Sequence, residues 1–514
     1  MVPGPTSPPY RWRWAALAVL LVAEAMNLLD ATIVAVAAPV VHAELPGPYS
    51  DIQWFSAAYT LPFAVLLITG GRLGDIVGRR RAFLVGVAGF VLASVCCALA
   101  GSAGLLITAR AAQGAAAALV IPQTIGLIRA MFGGSELARA LGSIGPVMGL
   151  AAVTGPVLGG VLTHANLFGS SWRSVFLVNV PLGVAVLLAA GLLREDRAAT
   201  RPRLDLGGTA LAVLGAGLLV YPLIQGAAEG WPGWAPGALG TGAAVLVLFG
   251  WQQGFAGRRG RATLVELSLF RHLPFPAALA CALLFFAVSN GLTLVVVLQL
   301  QLGLGTDART AGLTLLPWSC GLGVASWVAG AHLVPRYGAR VMFAGLAVLL
   351  AGVLAVAGVY AAVPAAGYPY PLLLALGVTG LGQGLFSTPF FATALHGVRP
   401  AETGSAAGLL NAVQQLGGTL GVALLGTVVL RALADPGGAP GAGVPGGTLA
   451  EVRALVGAQH ALWLAAALLA ATGVGAALMV RPVRRAGPAE GAGDSAARSA
   501  AGEGRRGGVG AKPE

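Results

Sequence analysis

Apolar residues along this chain fall into long uninterrupted runs, not into the three- or four-residue stripe of a helix lying on a soluble core. The runs lie near 15–41, 53–71, 82–101, 104–125, 140–163, 174–193, 206–226, 235–253, 277–302, 310–333, 341–361, 370–395, 404–431 and 460–480. A bilayer core about 30 Å thick needs roughly 20 helical residues to cross it. Each run therefore predicts a transmembrane helix, fourteen in all. The first is read as a retained helix and not a cleaved leader, because it continues through Val41 with Asp30 inside it.

Composition agrees with this pattern: 57% of the residues are hydrophobic and 10% charged, and the mean hydropathy is +0.82. The net charge of +12 raises the question of a nucleic-acid partner, which the placement of the charge answers. With the N-terminus inside, Arg11, Arg13, Arg72, Arg79, Arg80, Arg81, Arg129, Arg139, Arg194 and most other arginines fall on the cytoplasmic side, and Arg173, Arg309, Arg431 and Arg453 fall outside. Positive residues favour the cytoplasmic face, so both termini are expected in the cytoplasm of a cell-membrane protein and no nucleic acid is expected as partner. Cys96, Cys97, Cys281 and Cys320 all lie in apolar helices and read as packing residues.

Two segments resemble each other across a long interval. Gly71 to Arg80 follows the second helix and Ala331 to Arg340 the tenth, with Leu73/Leu333, Gly78/Gly338 and Arg80/Arg340 in register. Equivalent loops of two six-helix halves would stand six helices apart; these stand eight apart, so two helices are inserted. The expected organisation is a cytoplasmic N-terminus (1–14), a six-helix bundle (15–193), a linker with two extra helices (194–274), a second bundle (275–480) and a disordered cytoplasmic tail (481–514). Ala432 to about His460, rich in Gly and Pro, is expected to be a flexible external loop.

With that organisation in view, the chain resembles the fourteen-helix drug:proton antiporter branch of the major facilitator superfamily, from about Arg13 to Val480. Leu29-Asp30-Ala31-Thr32-Ile33-Val34 through Pro39 is similar to its first-helix motif, and residues 71–80 to the superfamily's cytoplasmic loop. Arg110-Ala111-Ala112-Gln113-Gly114 is similar to the fourth-helix motif, and Thr154 to Gly160 to the fifth-helix motif associated with antiporters. Trp172 to Gly183 resembles the start of helix six, and Asn411 to Gly418 the polar thirteenth-helix segment. Ala35 departs from the branch, where asparagine is frequent, and Pro335 replaces the acid of the first loop, Asp75. The resemblance implies an all-α integral membrane fold of two six-helix bundles plus two linker helices. It also implies proton-driven export of a drug or antibiotic-like metabolite by alternating access, acting as a monomer without a cofactor or metal.

The residues themselves suggest where such work is done. Glu24, Asn27 and Asp30, each three apart, form a polar stripe along one side of helix one. An acid at the centre of a membrane helix costs roughly 3 kcal/mol on insertion scales, so such groups usually face a cavity and act there. Arg110, inside an apolar helix with Gln113 and Gly114 on its face, needs a counter-ion. Asp30 or Glu24 would supply it, as a proton-coupling switch or as a static ion pair. Gly71, Asp75, Gly78, Arg79 and Arg80 are expected to latch a gate, or simply to anchor topology. Gly155, Pro156, Gly159 and Gly160 interrupt a helix ladder and admit a close backbone neighbour. Candidate substrate contacts are Asn27, Trp54, Tyr59, Gln113, Gln123, Asn290, Trp318, Gln383, Phe386, Asn411, Gln414 and Gln415, where aromatic and amide groups suit a bulky amphipathic guest.

ATP-driven transport by a phosphate-cradling Gly-Lys-Ser/Thr loop is excluded, since the sole lysine is Lys512. The six histidines are scattered, with no zinc motif. A major-facilitator importer or facilitator of a small metabolite is the alternative reading. A membrane enzyme is disfavoured because Glu44, Asp51 and Glu229 are too dispersed to form an external site.

Overall fold

A computed structural model describes residues 10–166, 169–197, 203–226, 228–271, 273–362, 368–396, 398–399, 402–434 and 449–480. The expected N-terminal segment up to residue 9, the centre of the long loop and the C-terminal tail lie outside the described residues. Lipid offers no hydrogen bonds, so a chain this apolar must satisfy its backbone internally, and helices do so one segment at a time.

Among the described residues, fourteen helices are long and apolar enough to cross a membrane. They are α1 (Arg13–Glu44), α2 (Ser50–Val77), α3 (Arg79–Ala98), α4 (Ala103–Met131), α5 (Gly134–Ala165), α6 (Ser171–Leu192) and α7 (Leu206–Gly226). The series continues with α8 (Trp234–Arg258), α9 (Pro274–Gly303), α10 (Ala308–Tyr337), α11 (Arg340–Ala362), α12 (Pro371–Leu395), α13 (Thr403–Leu433) and α14 (Glu451–Val480). Helix fourteen begins well before the predicted residue 460. Its first turns are held by fully buried Ala454 and Ala458 and by Gly457, which lies against the α13 backbone at Val429. Tertiary packing there makes a helix where glycine content suggested loop.

The packing is a repeat displaced by eight helices. In the first half α1 packs on α5, α2 and α3 on α4, and α3 on α6; in the second α9 packs on α13, α10 and α11 on α12, and α11 on α14. Gly78 and Gly338, matched in the sequence repeat, both end their helices with positive φ, at 109° and 56°, a conformation glycine adopts without a Cβ clash. The halves meet along two seams, α2 with α13 and α5 with α10.

Helices α7 and α8 pair with each other beside α2. Asp205 caps α7 by accepting from Gly208 N at 2.8 Å, and also accepts from Gln253 Nε2 at 2.6 Å on α8 and from Leu264 N at 3.3 Å in the following segment. Arg72, at the end of α2, donates to the carbonyl of Thr263, and Thr69 bonds Thr209 at 2.9 Å. Burial alone would push the Asp205 carboxyl up, but the donors from Gly208, Gln253, Gln252 and Leu264 outweigh it and hold the group below the ordinary carboxylate range. A carboxyl lowered in this way stabilises the fold above its ordinary range, and that contribution is lost as pH falls through the lowered value.

Asp205→Ala removes a helix cap and strands the Gln253 amide, and is expected to cost about 2–3 kcal/mol. Thermal unfolding of the full chain in detergent measures this. Asp205→Asn should retain most of the stability at neutral pH, and an alanine variant as stable as the parent would refute the role given to the cap.

Candidate functional site

Five helices of the first half converge on one carboxylate. Asp30 is fully buried on α1 and Arg110 is 1% exposed on α4. Arg110 Nη1 donates to Asp30 Oδ2 at 2.5 Å, its Nε donates to the backbone oxygen of Phe55 on α2 at 3.0 Å, and Nη1 also reaches Gln113 Oε1 at 2.6 Å. The other Asp30 oxygen accepts from Gln113 Nε2 at 2.9 Å and from Asn179 Nδ2, on α6, at 2.7 Å. Ser94 of α3 accepts in turn from Gln113 at 2.8 Å and from Asn179 at 3.4 Å. The Arg110 guanidinium lies 4.3 Å from the Tyr59 ring centre and 5.7 Å from that of Phe176. A buried ion pair tolerates loss of water only when its remaining donors and acceptors are filled, and here hydrogen bonds and aromatic faces fill them.

Local sequence makes this convergence possible. Gly114 stands where a Cβ would run into the Tyr59 backbone, so α2 and α4 approach closely at the turn beside Arg110. On the other side of α1, Gly155 faces Thr32, and a Cβ on Gly159 would lie 2.7 Å from the Ile33 carbonyl. Gly160 faces the Ala308 backbone of α10, and Gly312 returns the contact towards Pro156. The expected interruption at Pro156 does not end the helix, which runs on to Ala165. The Gly155 to Gly160 stretch thus wedges α5 between α1 and α10, joining the ion-pair helix to the seam between the halves.

The rest of the α1 stripe is less completely partnered. Asn27 Oδ1 accepts from Tyr59 OH at 2.6 Å, but its Nδ2 has no hydrogen-bond partner. Glu24 is 6% exposed and makes no salt bridge among the described residues.

The predicted gating loop is fastened partly to itself and partly to the linker and, among the described residues, not to the second half. Arg79 donates to Asp75 at 2.8 Å and to Asp196, beyond α6, at 2.7 Å, while Glu195 accepts from the Arg80 backbone N at 3.1 Å beside Gly78. A Cβ on Gly71 would come 3.3 Å from Pro122, so α2 and α4 also run close there.

The predicted substrate contacts divide by location. Gln113 belongs to the Asp30 cage, and Gln123 spends its amide on the Gly70 carbonyl at 2.9 Å, so both fasten helices together. Trp54 lies 5.9 Å from Tyr221 of α7, ring centre to ring centre, on the linker side. In the second half, Trp318 Nε1 donates to Gln383 Oε1 at 2.7 Å, and Phe386, fully buried, lies tilted against Phe285 with ring centres 4.1 Å apart. Asn290 is exposed beside Gly418, and Asn411, Gln414 and Gln415 are half-buried along α13. That stretch follows the α2 seam, where Thr419 donates to Thr60 at 2.7 Å. Sequence reading singled out neither Ser94 nor Asn179 as a site residue; the signal available was a lone polar residue in an apolar helix.

Removing one member of the buried pair leaves the other charge stranded, so Arg110→Leu is expected to cost about 3–5 kcal/mol. The Asp30→Asn/Arg110→Leu double variant should cost less than the sum of the single changes. Unfolding midpoints of the three proteins in detergent test this, and additive losses would show that the pair is not the unit described.

Comparison with known proteins completes the picture. Residues 20–422 match the family profile described as Major Facilitator Superfamily. The chain is 48% identical over 432 residues to a probable actinorhodin transporter of Streptomyces coelicolor, covering 83% of this chain and 75% of that protein. It is 36% identical over 467 residues to a puromycin resistance protein of Streptomyces alboniger, covering 89% and 90%. The crystal structure of a bacterial homologue of the human lysosomal transporter Spinster superposes with a TM-score of 0.61 at 15% identity, covering 92% of this chain and 97% of that one, a likeness of fold. Fourteen membrane-capable helices among the described residues, twelve of them in two matching sets of six, and a family profile spanning most of them lead to one conclusion: the chain is a membrane transporter of the Major Facilitator Superfamily.

Proposed function

We propose that this transporter exports drug- or antibiotic-like small molecules in exchange for protons, by alternating access of the bundles 15–193 and 275–480 around a site near the membrane midplane. The observation that carries the reading is the buried Arg110–Asp30 pair, an expensive group to place in a membrane unless its charge is used. Support for the cargo comes from the relatives, named for actinorhodin and puromycin.

In this reading both termini are cytoplasmic, as the arginine distribution favours. The ties between the halves then lie towards the outside. Gln53 donates to the Val422 and Ala423 carbonyls at 2.9 and 3.0 Å, Gln301 to Val36 at 2.8 Å, and His164 pairs with Asp307 at 2.9 Å. The state described is the one that loads from the cytoplasm. Protons from outside neutralise Asp30 or Glu24; where Asp30 takes the proton, Arg110 loses its counter-charge and the five helices around it repack, and deprotonation towards the cytoplasm restores the cage. The close α1–α5–α10 contacts carry that change to the seam. The 71–80 loop, fastened here to α2 and the linker, is free to engage the second half when the cytoplasmic side closes. Asn290, Gln383, Asn411, Gln414 and Gln415 offer the cargo hydrogen bonds beside the half-buried Phe286 and Phe391, whereas the predicted contact Phe386 is fully buried. One proton falling through a potential of about 100 mV supplies about 2.3 kcal/mol, enough to drive a more than tenfold export gradient.

Everted vesicles energised to a proton gradient test the proposal with puromycin and actinorhodin as probes. The parent should release protons on addition of a transported probe, and Asp30→Asn should lose that release while still inserting in the membrane. Undiminished release from Asp30→Asn would reject the coupling role of the pair.

A further inference from the structure

The inserted helices touch both halves. Near the start of α7, Thr209 bonds Thr69 of α2 at 2.9 Å, so the pair is fastened to the first half there. Towards the far end of the same helix, Val220 and Ile224 form one fully buried cluster with Ala57 of α2 and Ala423 of α13. Trp54 of α2, Tyr221 of α7 and Trp234 of α8 stand in a row, with successive ring centres 5.9 and 5.7 Å apart. Between α7 and α8, the ring of Trp231 lies 5.9 Å from the Arg431 guanidinium near the end of α13.

One hydroxyl joins the three parts. Pro222 cannot donate to the helix ladder, and α7 widens to a π-turn over Pro222–Gly226. From that turn the Leu223 carbonyl accepts from Thr427 Oγ1 of α13 at 3.0 Å. The same Thr427 oxygen accepts from Gln53 Nε2 of α2 at 3.3 Å. Gln53, 1% exposed, also donates to the Val422 and Ala423 carbonyls. First half, inserted helix and second half thus meet on a single side chain, where α2 and α13 close the seam.

We infer that the inserted pair α7–α8 is a clasp on the α2–α13 seam, with Thr427 as its catch. Carried by the first half, α7 grips α13 while this end of the transporter is closed and releases it when the halves part. For α2 and α13 to separate here, the bonds of Thr427 to Gln53 and Leu223, the Arg431–Trp231 contact and the Ala423–Ile224 packing must break together. Thr69–Thr209 and Trp54–Tyr221 lie between α2 and α7 and are kept. Contacts made in one state and absent from the other shift the balance between the two, so the clasp favours the state closed at this end. Its part in transport rests on the alternating-access reading above.

Hydrogen–deuterium exchange of the full chain in lipid nanodiscs, with neither cargo nor proton gradient, reads both ends of the seam. Thr427→Val should speed exchange about fivefold in residues 50–57 of α2 and 420–430 of α13. It should slow exchange at their opposite ends, residues 70–77 and 403–410, while Thr427→Ser matches the parent. Ile224→Ala, which alters the inserted helix alone, should move both ends in the same directions; size exclusion confirms that each variant is folded. Parent-like exchange in Thr427→Val, faster exchange confined to α13, or no effect of Ile224→Ala overturns the clasp. Proton release in everted vesicles is a separate measurement, so failure of the clasp and failure of proton-coupled export are told apart.

Discussion

A guanidinium and a carboxylate placed together in the middle of a lipid-embedded bundle constrain everything near them. Each has more hydrogen-bonding capacity than one partner can fill, and water is not available to complete the set. Arg110 and Asp30 draw the missing partners from α2, α3, α4 and α6, so five helices of the first half are fixed in register by one pair of charges. A change of one charge cannot be absorbed locally, because the groups that contact the pair come from α2, α4 and α6.

Small residues transmit the constraint. Gly114 lets α2 and α4 close on Arg110, and Gly155, Gly159 and Gly160 let α5 touch α1 on one side and α10 on the other. Close-packed backbones shift between discrete arrangements more readily than they deform. The α1 segment that carries Asp30 is thus in direct backbone contact, through α5, with the α5–α10 seam. The second half contributes no matching charge at Trp318, Gln383 or Phe386, and its aromatic and amide surface complements the charged first half.

The inserted helices show the same economy with different chemistry. Asp205 draws the start of α7, the end of α8 and the segment after it onto one carboxylate, and Arg72 fastens that assembly to α2 through backbone oxygens. The pair is thereby joined to the first half at one end, while near its other end Thr427 of α13 donates to the Leu223 carbonyl.

The number and order of the helices could be read from hydrophobic runs alone, because the length of an apolar stretch is set by bilayer thickness and not by neighbours. The displaced repeat was legible too, since Gly78 and Gly338 answer a local backbone demand, positive φ at a helix end. The charges at Asp30 and Arg110 announced themselves because a charged residue in an apolar run always needs an explanation. Which acid the arginine holds was not legible: Glu24 and Asp30 lie within two turns of each other on one helix, and only the position of α4 against α1 separates them. Ser94 and Asn179 stayed hidden for the same reason, as isolated polar residues whose partners are distant in sequence. Gln113 and Gln123 look alike along the chain and differ only in what the neighbouring helices offer them, a carboxylate in one case and a backbone carbonyl in the other. Periodicity and charge along a chain are local properties and survive in one dimension; the choice among partners depends on distances between helices, and only the folded structure sets those.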